Sequence, residues 1–297
     1  MTPLKTFFSS SSSLQRIQVI LGLILLGLLF LYVAHMAYLF LIQNSIVFPR
    51  NTQPIDIKKT PLSTFEQVQT TTEDGEHVLL WVSPPKGDKP VILFFHGNST
   101  TLQSPGLIER FATLAHHGFG VVALSYRGYG GSTGIPSEKG VKLDSEAAYS
   151  VAFQRFGKKH KIMAYGESLG TGIAVYLATQ KPLAAVILQS PYTSLRAVAK
   201  ANYPFPAEFF VKYPFSSDQI IGQINSPLLI LHGAQDKLIP VEQAEMLYAL
   251  ARPPKRLVIF TQGSHGLAET TQEILKFLDD LGQNSLPPEE KIRINAS

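Results

Sequence analysis

The sequence predicts an α/β fold, with a mostly parallel central sheet, helices on both of its faces, and one membrane-crossing helix ahead of it. Three observations carry that prediction. From residue 91 onward, short apolar runs of strand length alternate with segments of helix length, the pattern of a parallel sheet whose crossovers are helices. Before them, Phe65–Thr71 and His77–Val82 flank the turn Glu73-Asp74-Gly75-Glu76, which reads as an antiparallel hairpin. Before that again, residues 17–49 contain no Asp, Glu, Lys or Arg.

Taken in order, residues 1–16 form an N-terminal tail with a serine run, Ser9 to Ser13, and two cations, Lys5 and Arg16. Residues 17–42 form a transmembrane anchor. Within it Val19–Ile42 is almost wholly apolar, and about 20 such residues in a helix cross a bilayer. A cleaved signal peptide and a buried core helix are the competing readings. A signal's apolar centre runs about 7–15 residues and is followed by a small-residue cleavage site, and neither feature fits. A core helix carries a polar face, whereas only Gln18, His35 and the tyrosines interrupt this segment. The flanking cations nearly balance, Lys5 and Arg16 before the span against Arg50, Lys58 and Lys59 after it. The short tail favours an N-terminus inside, with the large domain on the exoplasmic or periplasmic side.

Residues 43–63 read as a Pro-containing linker, 64–283 as the globular domain, and 284–297 as a polar, loosely ordered tail. After the hairpin, the strands expected are Val91–Phe95, Val121–Ser125, Ile162–Tyr165, Ala185–Gln189, Leu228–Leu231 and Leu257–Phe260. Helices are expected at Leu107–His116, Ser137–Phe156, Thr171–Thr179, Val241–Ala251 and Ala268–Leu281.

Composition narrows the function. A formal charge of +4 with no long Lys/Arg run gives no nucleic-acid footprint; the mild basicity reads as a solvated surface with some attraction to anionic lipid. The absence of cysteine removes disulfides, thiolate metal sites and a cysteine nucleophile.

The sharpest local signal is Gly166-Glu167-Ser168-Leu169-Gly170, set between a strand and a helix. A serine turned that sharply needs glycine on either side, because a Cβ at those positions would meet neighbouring chain. The turn lifts the Ser168 hydroxyl to the carboxyl edge of the sheet, at a helix N-terminus. A hydroxyl is a weak nucleophile and needs a base, and the base needs an acid to orient it. Two later loops at the same edge supply candidates. Leu228–Leu231 leads into His232-Gly233-Ala234-Gln235-Asp236, and Leu257–Phe260 into Thr261-Gln262-Gly263-Ser264-His265-Gly266. His265 between small residues is the expected base and Asp236 the expected acid. Asp236 has a second reading as a cap of the following helix, and Asp218 and Glu242 remain alternative acids.

An oxyanion needs two donors. The amide after the nucleophile, Leu169, is one, and the loop His96-Gly97-Asn98-Ser99 offers the other through the Asn98 N–H. His96 and His232 read as structural. Tyr126-Arg127-Gly128-Tyr129-Gly130-Gly131-Ser132 lacks the G-x-x-x-x-G-K frame of a phosphate loop and reads as a tight loop bordering the site.

As a set, His96 to Asn98, Tyr126 to Ser132, Gly166 to Gly170, Tyr192 to Leu195, His232 to Pro240 and Gly263 to Gly266 resemble the α/β-hydrolase superfamily. Within it, the chain is similar to the membrane-anchored Bem46-like and ABHD13- and ABHD17-like serine hydrolases, which overlap with serine aminopeptidase-type hydrolases. The resemblance covers roughly Thr64 to Leu281 together with the anchor. It implies an α/β-hydrolase fold and assigns nucleophile, acid and base to Ser168, Asp236 and His265. Glu167 departs from the arginine or similar residue common before the nucleophile, which bears on substrate charge preference. Only a short cap fits between Ser190 and Pro227, and it contains the aromatic stretch Tyr203 to Phe215.

The expected activity is hydrolysis of an acyl ester or thioester, on a lipid-like substrate, through an acyl-enzyme and without metal or organic cofactor. A peptidase with the same three residues is one alternative, and a non-catalytic membrane scaffold that keeps the fold is the other.

Overall fold

The structure is a computed structural model of the 297-residue chain. It describes residues 13–53, 55–62, 64–267 and 270–296. Lys5, residues 9–12 of the serine run, and the start expected for the last helix at Ala268 lie outside the described residues. The chain divides into two units at Gln43/Asn44.

The first unit is built on helix α1, Ser13–Val47, whose last turn belongs to the second. Its apolar side chains are exposed around the circumference, with Leu25 at 66% and Leu31 at 64%. Within Gln15–Val47 an 18-residue window reaches a mean hydropathy of 2.6. By length and composition this is a candidate membrane span, since so much exposed apolar surface is unfavourable in water.

In the second unit the hairpin β1 (Glu66–Thr71) and β2 (His77–Ser83) forms as expected. There follow β3 (Val91–Phe95), α2 (Pro105–His116), β4 (Gly120–Ser125), α3 (Glu138–Phe156), β5 (Ile162–Glu167), α4 (Leu169–Gln180) and β6 (Val186–Gln189). The cap holds α5 (Leu195–Asn202) and the short α6 (Ser217–Ile220). The chain closes with β7 (Leu228–Gly233), α7 (Val241–Leu250), β8 (Lys255–Phe260), α8 (Thr271–Gly282) and β9 (Glu289–Ile294).

Among the described residues these strands make one nine-stranded sheet in the order β1-β2-β4-β3-β5-β6-β7-β8-β9. Pairing is antiparallel at β1–β2 and β2–β4 and parallel elsewhere. The central strands are buried on both faces, and their period-2 alternation feeds two cores. On one face Val78, Leu80 and Val82 pack with Val141, Ile173 and Leu247 of α3, α4 and α7. On the other, Leu79 and Trp81 pack with Phe111 of α2 and Phe277 of α8.

The molecule departs from two expectations. The loose tail expected at 284–297 is replaced, over residues 289–294, by a strand, because β9 pairs in parallel with β8 from Lys255↔Glu289 to Phe260↔Ile294. Arg256, itself buried, is ion-paired with Glu290 and with Asp280 of α8, which pins that edge. Nor do residues 43–63 behave as a linker. Phe48, Ile55, Ile57 and Leu62 are buried in the domain, and Asn44 Nδ2 donates to the Pro136 carbonyl at 2.6 Å and to Tyr213 Oη at 3.3 Å.

Candidate active site

Strand β5 runs directly into α4 with only Ser168 between them. Ser168 sits at φ 50°, ψ −116°, a backbone region that side-chain-bearing residues enter only with strain. A Cβ on Gly166 would collide with the backbone at Gly170 and Thr171, and one on Gly170 would collide with the Phe95 carbonyl. The two glycines therefore let α4 start hard against the ends of β3 and β5. As the first residue of α4, Leu169 has no intrahelical acceptor for its N–H.

The later loops meet this serine. Ser168 Oγ lies 2.9 Å from His265 Nε2, and His265 Nδ1 lies 2.8 Å from Asp236 Oδ2. The His265 side chain is 30% exposed, while that of Asp236 is fully buried. Asp236 Oδ1 accepts the Leu238 and Ile239 amides, both at 2.9 Å. Burial pushes the Asp236 carboxyl upward, but the His265 hydrogen bond, the Ile239 amide and the neighbouring His265 and His232 rings outweigh it and hold the group below its ordinary value. The capping reading is not met, because the N-cap of α7 is Pro240 with no side-chain cap bond, and the amides that Asp236 takes lie in the turn ahead of the helix. Asp218 and Glu242 sit at the starts of α6 and α7, and among the described residues neither bonds to His265.

The His96-Gly97-Asn98 loop follows β3 on the other flank. A Cβ on Gly97 would touch the Ser168 Cβ at 3.5 Å and the Glu167 carbonyl at 3.7 Å, so this turn runs beside the serine. Among the described residues the Asn98 N–H donates to no protein acceptor. Tyr126 Oη donates to the His96 carbonyl at 2.7 Å and Tyr129 Oη to the Asn98 carbonyl at 3.1 Å. The glycine-rich loop is thus a brace for the turn. Arg127 anchors the brace, with Nε and backbone N–H on Asp144 and a bidentate pair to Asp74. Tyr192 Oη reaches the Leu169 carbonyl at 3.1 Å.

His96 takes no part in the serine chain, and His232 meets it only where Nε2 comes within 3.6 Å of Asp236 Oδ2. Burial pushes His96 down to about 4, against the opposing pull of its Gly97 contact, where Nδ1 lies 2.7 Å from the carbonyl. Burial likewise lowers His232, whose Nε2 is 2.8 Å from the Ile239 carbonyl.

A polar cluster beneath the serine turn has no signature in the sequence. Arg110 of α2 bonds to Tyr165 Oη and to Gln189 Oε1, and pairs with Glu167 at 3.4 Å. Gln189 gives its carbonyl to the Ser168 N–H at 2.9 Å. Ser190, also at φ 50°, donates Oγ to the His265 carbonyl at 2.9 Å. Serine and histidine loops are thus tied together from below. The Glu167 departure has a local explanation as well, because Arg110 balances its charge within the domain.

The comparisons agree with this architecture. The profile for the alpha/beta hydrolase fold matches residues 90–215. An uncharacterized protein of Mycobacterium tuberculosis is 32% identical over 229 residues, covering 75% of this chain and 80% of that one. The lysophosphatidylserine lipase ABHD12 of Danio rerio is 36% identical over 188 residues, 57% of this chain but only 49% of that one, so the match spans about half of the lipase's length. Among solved structures, an esterase of Pyrococcus furiosus superposes with a TM-score of 0.62 at 25% identity, covering 80% of this chain and 97% of the esterase. Nine strands in this order, a strained serine between β5 and α4, and these matches together show that the chain belongs to the alpha/beta hydrolase fold family.

Proposed function

We propose that this chain is a membrane-anchored serine hydrolase that cleaves an acyl ester or thioester of a lipid-like molecule through an acyl-enzyme. The observation that carries the reading is the continuous hydrogen-bond chain from Ser168 Oγ through His265 to Asp236, at 2.9 and 2.8 Å. In this scheme His265 Nε2 takes the Ser168 proton as Oγ attacks the acyl carbon, and then returns it to the leaving oxygen or sulfur. Asp236 keeps the second imidazole proton on Nδ1 and stabilises the transient imidazolium. The Asn98 and Leu169 amides receive the oxyanion. Water, activated in the same way by His265, then releases the acyl group.

A lipid-like substrate is supported by the candidate span, by the short cap, and by relatives named as lipases that act on lysophosphatidylserine. Those lipases carry the name ABHD12, and placement nearer the Bem46-, ABHD13- or ABHD17-like branches belongs to the proposal. So does the topology, with the hydrolase domain on the exoplasmic or periplasmic side.

Fluorophosphonate labelling of the full-length protein tests the central claim. Wild type is expected to label and Ser168→Ala to lose the label while remaining folded by circular dichroism. Labelling retained in Ser168→Ala overturns the assignment.

A further inference from the structure

Outside α1, the described domain exposes nine large apolar side chains, and five of them gather at the cap. Phe205 is 74% and Phe209 71% exposed, and Tyr203, Phe210 and Leu238 join them. The Phe205 and Phe209 rings meet edge to face at 6.1 Å. Asn202 Nδ2 donates to the Leu238 carbonyl at 2.9 Å, so α5 and the Asp236 loop hold the two parts of the patch together. Concentration of this kind marks a contact surface, since single exposed apolar residues are ordinary and clusters are not.

We propose that this aromatic cap patch is a second membrane contact, which seats in the interface of an anionic bilayer and turns the edge of the sheet bearing Ser168 towards lipid. Three observations select a bilayer as the occupant. The aromatic stretch of the cap ends at Tyr213 and Phe215, whose rings hold Phe48 at 5.6 and 6.4 Å, and Tyr213 also accepts from Asn44. Asn44 lies in the last turn of α1 and Phe48 directly follows that helix, so the stretch that bears the patch packs at its end on the residues by which the apolar helix continues into the domain. Exposed Arg196, Lys200, Lys212 and Lys237 accompany the aromatics, against Glu208 as the one acid from Arg196 to Lys212. Cations beside aromatic side chains are the composition that binds anionic headgroups while rings enter the acyl boundary. Finally, Leu238 gives its N–H to Asp236 Oδ1, which joins the patch to the serine's edge of the domain. Delivery of substrate from the bilayer to Ser168 rests on the hydrolase reading above; the docking itself does not.

The test uses full-length protein reconstituted in phosphatidylcholine–phosphatidylglycerol vesicles. Trp81 is the sole tryptophan and is fully buried, so a Phe209→Trp probe reports on the cap over a constant background, and Phe153→Trp on α3 serves as the control. Acyl-chain-brominated lipids are expected to quench the cap probe and leave the control unquenched. A cap probe that emits as a water-exposed indole without quenching overturns the proposal. So does one that is blue-shifted but unquenched, which would indicate a protein partner or a second copy. In a second arm, Phe205→Ser combined with Phe209→Ser and Phe210→Ser should slow hydrolysis of a vesicle-embedded long-chain ester by about tenfold, with turnover of a short soluble ester unchanged. Equal rates on the embedded ester overturn the delivery role. If wild type cleaves neither ester, the hydrolase reading fails while the quenching result still decides docking.

Discussion

Two histidines, His96 and His265, stand at loops after strands on the same edge of one sheet, yet their surroundings are opposite. His96 is fully buried between Tyr126 and Tyr129, with ring centroids at 4.2 and 5.2 Å. It faces a carbonyl rather than a carboxylate. His265 keeps part of its surface in solvent, with a hydroxyl on one nitrogen and a carboxylate on the other. Under the proposed function, what fits an imidazole for proton transfer is the pair of groups at its two nitrogens together with an open face. A place at the carboxyl edge is not sufficient.

Under the proposed function, the largest separation between the two comes from deletion. His265→Ala is expected to lower kcat on a small soluble ester by ~10⁶-fold, whereas His96→Phe should retain most of the rate. An equal loss in both, with both variants folded, would erase the distinction. Removing the carboxylate that sets His265 apart is the next effect in size. Asp236→Asn should cost ~10⁴-fold by presenting the wrong tautomer, while Asp218→Asn and Glu242→Gln stay near wild type. A dead Asp218 or Glu242 variant beside an active Asp236→Asn would move the acid elsewhere.

Acid titration sharpens the buried side of the comparison. His96 has a pKa near 4 in the fold against 6.5 ordinarily, so between these values the unfolded chain binds the extra proton. Stability from this group is fully present above pH 6.5 and is lost as the pH falls toward 4. The loss is ~3 kcal/mol at most. Urea midpoints across that window should fall with pH in wild type and fall less in His96→Phe; parallel slopes would deny His96 this part. Smaller still is Tyr126→Phe, which takes the hydroxyl from the buried His96 carbonyl. A kcat loss of about tenfold with KM unchanged is expected, and an unchanged kcat would show that the turn holds without its brace.

Much of the fold and site is legible in the sequence because the signals are local. Apolar runs mark the central strands, and the glycines at 166 and 170 mark the serine turn. The chain order of serine, acid and histidine then points Ser168, Asp236 and His265 to one edge, where the structure brings the same three side chains together. What the sequence hides depends on distant partners. Strand β9 reads Glu-Glu-Lys-Ile-Arg-Ile, with few apolar side chains, because an edge strand covers one neighbour and its charges pair with β8 and the surface. The segment after α1 resembles a linker because its apolar residues are isolated in sequence and find cover only in the folded domain. The Arg110–Gln189–Tyr165 cluster joins residues 24 to 79 positions apart, and no spacing announces it.

The backbone at Ser168 has one further consequence. Glycine adopts φ 50° with little cost, whereas serine is held there only by the surrounding packing. Ser168→Gly should accordingly raise the stability of the domain by about 1 kcal/mol while removing the hydroxyl, a gain that urea unfolding would register against Ser168→Ala. The fold thus gives up stability at the position where a hydroxyl meets the His265 ring. Under the proposed function that cost is retained because the same turn presents the hydroxyl that carries the chemistry.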